Sequence, residues 1–374
     1  MKTAVVILNW NTEGFLRDFL PPLLESVKDT AGAEVIVADN ASEDGSIRLM
    51  ESSFPAVRTI RFSSNLGFTG GYNEAFRQIC ADEDPEYLVL INSDIEVTGG
   101  WLQPLVDWMD THPECGACAP KLHSWYERDK FEYAGAAGGY IDRYGYPFCR
   151  GRVLKRLDTD HGQYDAPADV FWATGACLMV RAEAFRCAGG LDGRFFAHME
   201  EIDLCWKMQL EGWKVTVIPE SVVYHVGGGT LPAESPFKLY LNYRNNLLML
   251  ENNLAKTFAL QEIRKGRPAD KAAESGIRRA VRRIRFRKCL DGLSAAVYLL
   301  MLRKKAFDAV IKAHKDAARM GRIPEMNEIV EYLSKRVKAN ATVKGIYWKW
   351  IISEALVKGK HIFGCIRESD FVNI

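Results

Sequence analysis

Apolar runs alternate with amphipathic segments over the first hundred residues. The runs AVVILNW, AEVIVADN, VRTIRFS and EYLVLINSD have the continuous apolar character of strands that are buried on both faces. The segments between them have helical apolar spacing, although Pro21 and Pro22 are expected to break or kink the first helix. Repeated strand–helix units predict an α/β, Rossmann-like fold, with a mostly parallel sheet and flanking helices.

The pattern changes twice further along the chain. Residues 101–170 are rich in Gly and Tyr and predict loops or a hairpin, and strands and helices return between 170 and 226. After residue 236 glycine becomes rare, and helical spacing continues through the segment IFGCI. We therefore predict an α/β domain over residues 1–236 and a helical C-terminal region over residues 237–374.

Composition limits the functional classes. The chain has 374 residues, of which 48% are hydrophobic, and its net charge of +1 gives no overall preference for nucleic acid. Its nine cysteines form no disulfide framework, which suits a reducing cytoplasm, and the single CxxC at Cys115 and Cys118 argues against a zinc site. The N-terminal apolar run leads into polar residues without a cleavage site, so we interpret it as a core strand. No stretch reaches the ~18 apolar residues of a membrane span.

Polar side chains follow three of the predicted strands. They are Asn9 to Asn11, Asp39 with Asn40, and Asn92 to Asp94. Any one of these could be a turn or a helix cap, but the carboxyl ends of parallel strands meet at one edge, where ligands bind. The glycine-rich segment NLGFTGGYN lies between them and fits neither GxGxxG nor a P-loop. A ligand site is therefore predicted, and a nicotinamide enzyme or P-loop protein is disfavoured.

Several motifs occur along the chain in a specific order. They are VVILNWN, VIVADNASEDGS, NLGFTGGYNEA, YLVLINSDIEV, GACLMVRAEAF, GGLDGRFFAHMEEIDLCWKMQLEGWKV and VVYHVGGGT. In this order they resemble family 2 glycosyltransferases with the GT-A fold, and in particular the rhamnosyltransferase-like branch that builds bacterial surface polysaccharides. The resemblance covers roughly residues 3 to 250 and leaves the C-terminal region out.

The resemblance implies a divalent cation on the donor diphosphate. Asp94 is expected to be the metal carboxylate, although Asn92 stands where the fuller Asp-x-Asp motif has its first acid. His225 matches a position for a second ligand, and an imidazole suits Mn²⁺ better than Mg²⁺. The alternative for His225 is a strand-end histidine that bonds to backbone.

The resemblance also implies nucleotide contacts. Asp39 would accept from the base N–H, and Trp10 would lie near the base or ribose unless it packs in the core. The remaining nucleotide-side positions implied are Asn9, Asn11, Gly67, Phe68, Gly71, Asn73 and Asn92, of which Asn73 could equally cap a helix or face solvent.

The resemblance places the catalytic base in HMEEIDLCWK. Glu201 is the expected base, and Glu200 and Asp203 are the alternatives, although acidic residues at a helix start also interact favourably with the helix dipole. Trp172, Thr174 and Gly175 resemble the acceptor-side floor. Arg244 could reach the diphosphate or lie on a helix surface.

Residues 264–288 are strongly basic. Arg278, Arg279, Arg282 and Arg283 alternate with apolar residues in the pattern of an amphipathic helix, which suits an anionic membrane surface. RNA binding is disfavoured because no aromatic stacking platform accompanies the arginines. A helix that packs on the α/β domain is the simpler alternative.

These observations predict an inverting glycosyltransferase that depends on Mn²⁺ or Mg²⁺. The donor would be a dTDP- or UDP-sugar, with rhamnose favoured by the branch, and the acceptor a lipid-linked glycan at the cytoplasmic face of the membrane. Two alternatives remain open. One is a nucleotidyltransferase on a similar sheet, although NWNTEG lacks the expected basic residue. The other is a binding protein with a decayed site.

Overall fold

The computed structural model describes residues 1–227, 235–360 and 362–374. The chain begins with alternating strands and helices, as the apolar pattern predicts. In order these are β1 (Thr3–Asn9), α1 (Glu13–Val27), β2 (Ala33–Asp39), α2 (Ser46–Ser53), β3 (Arg58–Arg61), α3 (Gly67–Asp82), β4 (Tyr87–Ile91), β5 (Ile95–Val97) and α4 (Leu102–Thr111).

The middle of the chain contains a long strand, a small hairpin region and a return to the main sheet. Its elements are β6 (Cys115–Ser124), β7 (Gly139–Asp142), β8 (Pro147–Cys149), β9 (Arg152–Val153), β10 (Arg156–Leu157), β11 (Ala168–Asp169), β12 (Cys177–Arg181), α5 (Ala182–Cys187), α6 (Glu200–Leu210) and β13 (Lys214–His225).

The main sheet has the order β11-β13-β6-β12-β4-β1-β2-β3, with β5 paired to β13. Strands β4, β1, β2 and β3 are parallel, which confirms the α/β prediction for the first hundred residues. Strand β12 runs antiparallel to both β4 and β6, and β13 runs parallel to β6. The second half of the sheet is therefore mixed, because apolar runs reveal buried strands but not their direction.

Helices cover both faces of this sheet. Val5 and Ile7 of β1 point into a core with Leu16 and Leu20 of α1. The alternate residues Ala4 and Val6 point into the opposite core, which contains Tyr72 and Phe76 of α3. The alternation along one strand explains why the whole run is apolar: each side chain is buried by one layer of helices or the other.

Helix α1 continues through Pro21 and Pro22, so the predicted break is wrong. Both prolines lie on the exposed side, and the carbonyls of Arg17 and Asp18, which lose their helical donors, also belong to exposed residues. Water can satisfy carbonyls on that side, which reduces the cost of the missing N–H groups.

The C-terminal region begins with long helices. They are α7 (Pro236–Arg264), α8 (Ala269–Leu300), α9 (Lys304–Met320) and α10 (Met326–Lys335). Ser235 caps α7 by accepting from the Phe237 amide at 3.2 Å, with Pro236 in the first turn. The α7 residues Leu247 and Leu248 join the core that also contains Trp206 of α6. A helical C-terminal region is thus confirmed, while a domain boundary at residue 236 stays a prediction.

The last forty residues differ from the predicted helices. After α10 come β14 (Ile346–Tyr347), the short helix α11 (Ile351–Leu356) and β15 (Phe371–Val372). Strands β14 and β15 extend a second sheet of order β10-β9-β8-β7-β14-β15, so this end of the chain completes the hairpin region. In the described ranges, no helix is both long and apolar enough to cross a membrane.

The basic residues of α8 divide between the interior and the surface. Arg279 donates to Glu262 at 3.1 Å, Arg283 donates to the Arg143 carbonyl, and Arg287 pairs with Asp291 at 2.8 Å. Arg278, Arg282 and Arg285 are exposed. Of the four arginines predicted to face a membrane, Arg279 and Arg283 therefore form contacts within the protein, while Arg278 and Arg282 stay exposed.

Candidate active site

Strand register brings the first two polar strand ends together. Asn9 is the partner of Asp39 in the parallel pair of β1 and β2. The Asn9 amide donates to Asp39 Oδ1 at 2.8 Å, and the Ser42 N–H donates to Asp39 Oδ2 at 3.0 Å. Asp39 is only 3% exposed, so its carboxylate is held in one orientation at the sheet edge.

The neighbouring polar residues shape the turns. Asn11 has a positive φ of 55° and accepts from the Glu43 amide at 2.7 Å. Asn40 accepts from the Leu66 amide at 2.8 Å and donates to the Gly67 carbonyl at 3.1 Å, which ties β2 to the start of α3. Trp10 is 37% exposed, so the alternative of core packing does not apply to it.

The glycine-rich segment forms the first turns of α3. Gly67 has φ of +71°, and an added Cβ would lie 2.4 Å from the ring of Phe196. At Gly71 the added Cβ would lie 2.6 Å from Leu8, so this glycine lets the helix approach β1 closely. The Asn73 amide donates to the Leu191 carbonyl at 2.7 Å and its oxygen accepts from the Leu191 N–H, so this side chain holds the turn at Leu191. A nucleotide contact for Asn73 stays a prediction.

Asp94 and His225 meet because two strands pair. β5 starts one residue after Asp94 and runs antiparallel to the end of β13, where His225 is the partner of Ile95. His225 Nε2 lies 3.2 Å from Asp94 Oδ1, and the Gly227 amide donates to Asp94 Oδ2 at 3.2 Å. Asn92, whose N–H donates to the Ala176 carbonyl, ends β4 at the same edge.

A second acidic residue contacts His225 from the other side. Glu132 Oε2 lies 3.4 Å from His225 Nδ1, and Glu132 is 8% exposed. Burial acts to lower the pKa of His225, but the carboxylates of Asp94 and Glu132 outweigh it and raise the pKa to about 10. Without a cation, the imidazole therefore carries the positive charge between these carboxylates.

The donor atoms of Asp94 and His225 fit two ligands of one divalent ion. Ligands at about 2.1 Å from an ion and at right angles to each other lie about 3 Å apart, close to the observed separation. A carboxylate beside the other nitrogen of a ligand histidine orients the ring, and Glu132 occupies that place. Within the described residues, no group of three or more His, Cys, Asp or Glu side chains is arranged to hold an ion.

The segment before α6 has an unusual backbone. Phe196, His198 and Met199 have φ of 65°, 69° and 72°, a region that costs non-glycine residues free energy. The Asn245 amide of α7 donates to the carbonyls of Phe195, Ala197 and His198 at 2.9, 2.7 and 2.7 Å. We name residues 194–199 the catalytic loop, because Glu200 and Glu201 follow it directly.

Arg244 assists Asn245 in holding the catalytic loop. Its guanidinium donates to the carbonyls of Arg194 and Phe195 at 3.0 and 2.7 Å, and the residue is 7% exposed. Neither a diphosphate contact nor a helix-surface position, the two interpretations from sequence, describes this arginine. It is a buried residue that connects α7 to the catalytic loop.

The two carboxylates at the start of α6 differ in their surroundings. Glu200 is 5% exposed, and burial together with the Glu201 charge raises its pKa well above the usual value. Burial raises the pKa of the half-buried Glu201 to about 7. Two adjacent carboxylates do not ionise together easily, and Glu201, whose pKa is raised to about 7, is the member of the pair that can accept a proton near neutral pH. Asp203 is fully buried and receives bonds from Asn252 and Asn253, which leaves it a structural residue.

Of the predicted acceptor-side residues, Gly175 lies beside Glu201 at the start of α6. An added Cβ on Gly175 would lie 3.4 Å from Phe68 and 3.5 Å from Glu201, so these three residues meet. Trp172 is 3% exposed and donates to the Tyr140 carbonyl at 3.0 Å, and Thr174 is 4% exposed. Both side chains are therefore buried, and the acceptor-side role of Trp172 and Thr174 stays a prediction.

Sequence reasoning missed Glu132 and the role of Asn245. Glu132 is one acidic residue in a segment that reads as loop, and nothing in the sequence connects it to His225. Asn245 was visible in the segment YRNN, but its contacts lie about fifty residues away along the chain. The one signal in the sequence is weak. Consecutive asparagines are unfavourable in the interior of a helix, so their presence suggests that the side chains have specific partners.

A cavity of about 360 Å³ opens at the far end of β6 and β13 and is lined by Glu114, Asp169, Gln209, Lys214 and Lys344, among others. Lys214 begins β13 and His225 ends it, which places the cavity roughly 30 Å from the polar strand ends. The cavity is therefore separate from the candidate active site.

Comparison with known protein families supports the interpretation of this edge. The family model described as glycosyl transferase family 2 matches residues 4–189. An N-acetylglucosaminyl-diphospho-decaprenol L-rhamnosyltransferase of Mycobacterium tuberculosis is 27% identical over 232 residues, which are 59% of this chain and 75% of that protein. A low-salt glycan biosynthesis hexosyltransferase of Haloferax volcanii is 21% identical, over 68% of this chain and 77% of that protein.

Comparison with solved structures supports the fold. The structure of GalNAc-T7 with UDP, GalNAc and Mn²⁺ superposes with a TM-score of 0.53 and 16% identity. The match covers 67% of this chain and 48% of that one, so the present chain spans about half the length of this neighbour. At this identity the likeness concerns the fold alone, a mixed sheet of GT-A type with flanking helices.

Proposed function

This chain belongs to glycosyltransferase family 2, and from that premise we propose that it transfers a sugar, with inversion, from a nucleotide-diphosphate donor to a hydroxyl of a growing bacterial surface glycan. The observation that carries the proposal is the meeting of Glu201 with Gly175 and Phe68. The contact is made by the Glu201 Cβ, and Gly175 precedes Ala176, whose carbonyl accepts from the Asn92 N–H after β4. It supports a position for the proton-accepting carboxylate near that end of β4. The matched family model covers the polar strand ends of β1, β2 and β4.

Glu201 is proposed as the general base. The acceptor hydroxyl gives its proton to the Glu201 carboxylate while its oxygen forms a bond to the anomeric carbon. The bond from that carbon to the diphosphate oxygen breaks in the same step, and the nucleoside diphosphate leaves with the electron pair. A base whose pKa is near 7 is well matched to this task at neutral pH, because it is both available and able to hold the proton.

Asp94 and His225 are proposed to hold Mn²⁺ or Mg²⁺, and Glu132 to orient the His225 ring. When bound, such an ion neutralises negative charge on the diphosphate. Asp39 is proposed to accept from the nucleotide base, with Asn9 and Ser42 fixing its carboxylate. Trp10, Asn11, Gly67, Phe68, Gly71 and Asn92 would surround the nucleotide.

We propose a dTDP- or UDP-sugar as donor, with rhamnose favoured by the mycobacterial relative. That relative's name describes a decaprenol-linked acceptor, which supports a lipid-linked glycan as the acceptor here. An acceptor anchored at the cytoplasmic face of the membrane requires the enzyme to work at that surface. We therefore propose a peripheral position there and no role for nucleic acid.

Two other functions make different predictions. A nucleotidyltransferase would form a nucleotide sugar and pyrophosphate from a nucleoside triphosphate and a sugar 1-phosphate. A decayed binding protein would bind the donor with neither transfer nor hydrolysis. The half-buried, proton-accepting Glu201 favours the enzyme over the binding protein, because a carboxylate held with a raised pKa is costly to retain without a use.

Asp94→Ala tests the proposal. It removes one charged ligand, so transfer should be abolished and Mn²⁺-dependent binding of UDP or dTDP should weaken, as measured by calorimetry with and without the ion. Asp29→Ala, which removes an exposed carboxylate after α1, is the matched control and should change neither quantity. Unchanged metal-dependent nucleotide binding in Asp94→Ala would contradict the metal assignment. Pyrophosphate release from sugar 1-phosphate and dTTP would contradict the proposed reaction.

A further inference from the structure

The end of α8 and its turn into α9 carry a group of exposed apolar side chains. Leu302 is 91% exposed and Leu300 is 83% exposed, values that are unusual for leucine on a water-soluble surface. We name this group the apolar tip, and it consists of Leu293, Val297, Leu299, Leu300, Met301 and Leu302, each more than half exposed.

The apolar tip continues one face of α8. Arg278, Arg282 and Arg285 begin this face, the exposed Cys289 follows, and Leu293, Val297 and Leu300 continue it, all at spacings of three or four residues. Residues at these spacings lie above one another on a helix. The exposed face is therefore basic along its first half and apolar along its second. The opposite side of α8 packs against the protein through buried residues such as Ala280, Ile284 and Ala295.

The sequence around the apolar tip is strongly basic. Between Leu293 and Lys315 the chain carries Arg303, Lys304, Lys305, Lys312 and Lys315, against the single acidic residue Asp308. Arg303, Lys304 and Lys305 follow the tip directly and are exposed. Apolar side chains bordered by lysine and arginine match the interface of an anionic lipid bilayer, where hydrocarbon lies beneath negatively charged headgroups.

The packing of the long helices places the apolar tip near the active site. Arg279 of α8 pairs with Glu262 near the end of α7, whereas Tyr243 near the start of α7 lies against Ser294 and Tyr298. The two helices are therefore antiparallel, and the end of α8 lies beside the start of α7. That start also holds the catalytic loop, through the bond from Asn245 to the His198 carbonyl.

We propose that the apolar tip inserts into the interface of an anionic membrane while Arg303, Lys304 and Lys305 contact its headgroups. This surface replaces the basic stretch 264–288 as the principal membrane contact, because Arg279 and Arg283 are engaged within the protein. The inference rests on the proposed function, because insertion of the apolar tip would turn the catalytic end of the molecule toward a lipid-linked acceptor. A second copy of this chain is the less suitable occupant, because two apolar tips in contact would bring like charges together.

Sedimentation with vesicles tests this surface without any donor or acceptor. The full chain should bind vesicles of 30% phosphatidylglycerol in phosphatidylcholine at low salt and bind pure phosphatidylcholine at least tenfold more weakly. Leu300→Ser with Leu302→Ser should reduce binding to the anionic vesicles at least tenfold. Lys304→Gln with Lys305→Gln should also weaken it and reduce its dependence on salt, because fewer charges remain to be screened.

Two matched variants sharpen the test. Leu356→Ser with Val357→Ser removes apolar side chains that are 69% and 80% exposed elsewhere on the molecule, and binding should remain within about twofold of the unaltered chain. Arg278→Gln with Arg282→Gln removes charges from the basic half of the α8 face, and its effect should be smaller than that of the tip variants. Because all these side chains are exposed, thermal unfolding should be unchanged and will reveal any variant that misfolds.

The outcomes separate this inference from the proposed reaction. No binding of the unaltered chain to anionic vesicles at low salt would overturn it, and so would equal losses in the tip variant and the Leu356/Val357 control. Dimerisation that Leu300→Ser with Leu302→Ser abolishes, without lipid binding, would assign the tip to a second copy instead. Tip-dependent vesicle binding by a chain that transfers no sugar would retain the membrane surface and reject the proposed function.

Discussion

The two halves of the candidate active site are built in different ways. On the nucleotide side, Asn9 and Asp39 are neighbours because β1 and β2 pair in register, and their contacts lie within the sheet. On the catalytic side, Glu201 follows a loop with left-handed residues at 196, 198 and 199. Asn245 and Arg244 of α7 hold that loop in place.

One half of the candidate site is therefore positioned by the main sheet, and the other half depends on the C-terminal helices. Residues in a left-handed conformation persist only where their surroundings hold them. Three such residues lie in one short loop, and three of its carbonyls are bonded to Asn245, so α7 holds the loop that precedes the proposed base. Variants in the two halves should therefore have different kinetic consequences.

The largest effect should come from Glu201→Gln. The amide keeps the shape of the side chain but cannot accept a proton, so turnover should fall ~10²–10⁴-fold while donor affinity changes little. Steady-state kinetics with saturating donor measure the loss. Glu200→Gln is the matched control, and its effect should be small, because burial and the Glu201 charge raise the pKa of Glu200 and favour the neutral form that the amide resembles. A larger loss in Glu200→Gln would assign the base to the other carboxylate.

Asn245→Ala should lower turnover by roughly 10- to 100-fold, because a displacement of about 1 Å in the catalytic carboxylate can cost this much. It should also lower the free energy of unfolding by about 1–3 kcal/mol, since buried carbonyls lose their donor. Turnover and urea unfolding measure the two effects. Asn242→Ala lies about one helical turn earlier and removes a side chain that donates to the Lys238 carbonyl of its own helix, so it should change neither strongly.

Asp39→Asn should weaken nucleotide binding, because it alters the nucleotide half of the site. An amide has one oxygen in place of two, so it cannot accept from both Asn9 and Ser42 and still serve a nucleotide base. Affinity for UDP or dTDP should fall about tenfold, with turnover at saturating donor reduced less. Calorimetric titration measures this change. A loss of turnover without any loss of affinity would contradict a nucleotide-side role for Asp39.

The smallest expected effect is a dependence of the transfer rate on pH. Glu201 must be ionised to accept a proton, and burial raises its pKa to about 7, so the transfer rate should rise with pH through that value. The rate should be about half-maximal near pH 7 and fall about tenfold for each unit below pH 6. A glutamate with an ordinary pKa would give a rate independent of pH above about 5.5. A rate profile for the isolated chemical step distinguishes the two.

The sequence predicted the strands and the polar edge of the sheet well because their signals are local. Buried strands are visible as apolar runs, and the polar residues that end them mark the sheet edge, as at Asn9, Asp39 and Asp94. Parallel pairing then brings Asn9 beside Asp39 without further information. The pairing of β5 with the end of β13, which brings His225 to Asp94, was implied only by resemblance.

Other features depended on contacts that no periodicity reveals. Asn73 looks like a nucleotide residue beside Gly71, yet it bonds to Leu191, more than a hundred residues away. Trp172 looks like part of an acceptor floor, yet its ring packs against Gly139 in the interior. The arginines of α8 look alike in sequence, and only the position of α7 and the hairpin region decides which of them face inward.

We infer that the nucleotide half forms independently of the support that α7 gives to the catalytic half. The most direct test compares Asn245→Ala with the unaltered chain. The dissociation constant of UDP or dTDP is measured with Mn²⁺, and the single-turnover transfer rate is measured on the same samples. We predict dissociation constants that agree within about twofold, while the transfer rate falls at least tenfold. An equal weakening of nucleotide binding would contradict the claim, because it would mean that the support from α7 extends across the whole site.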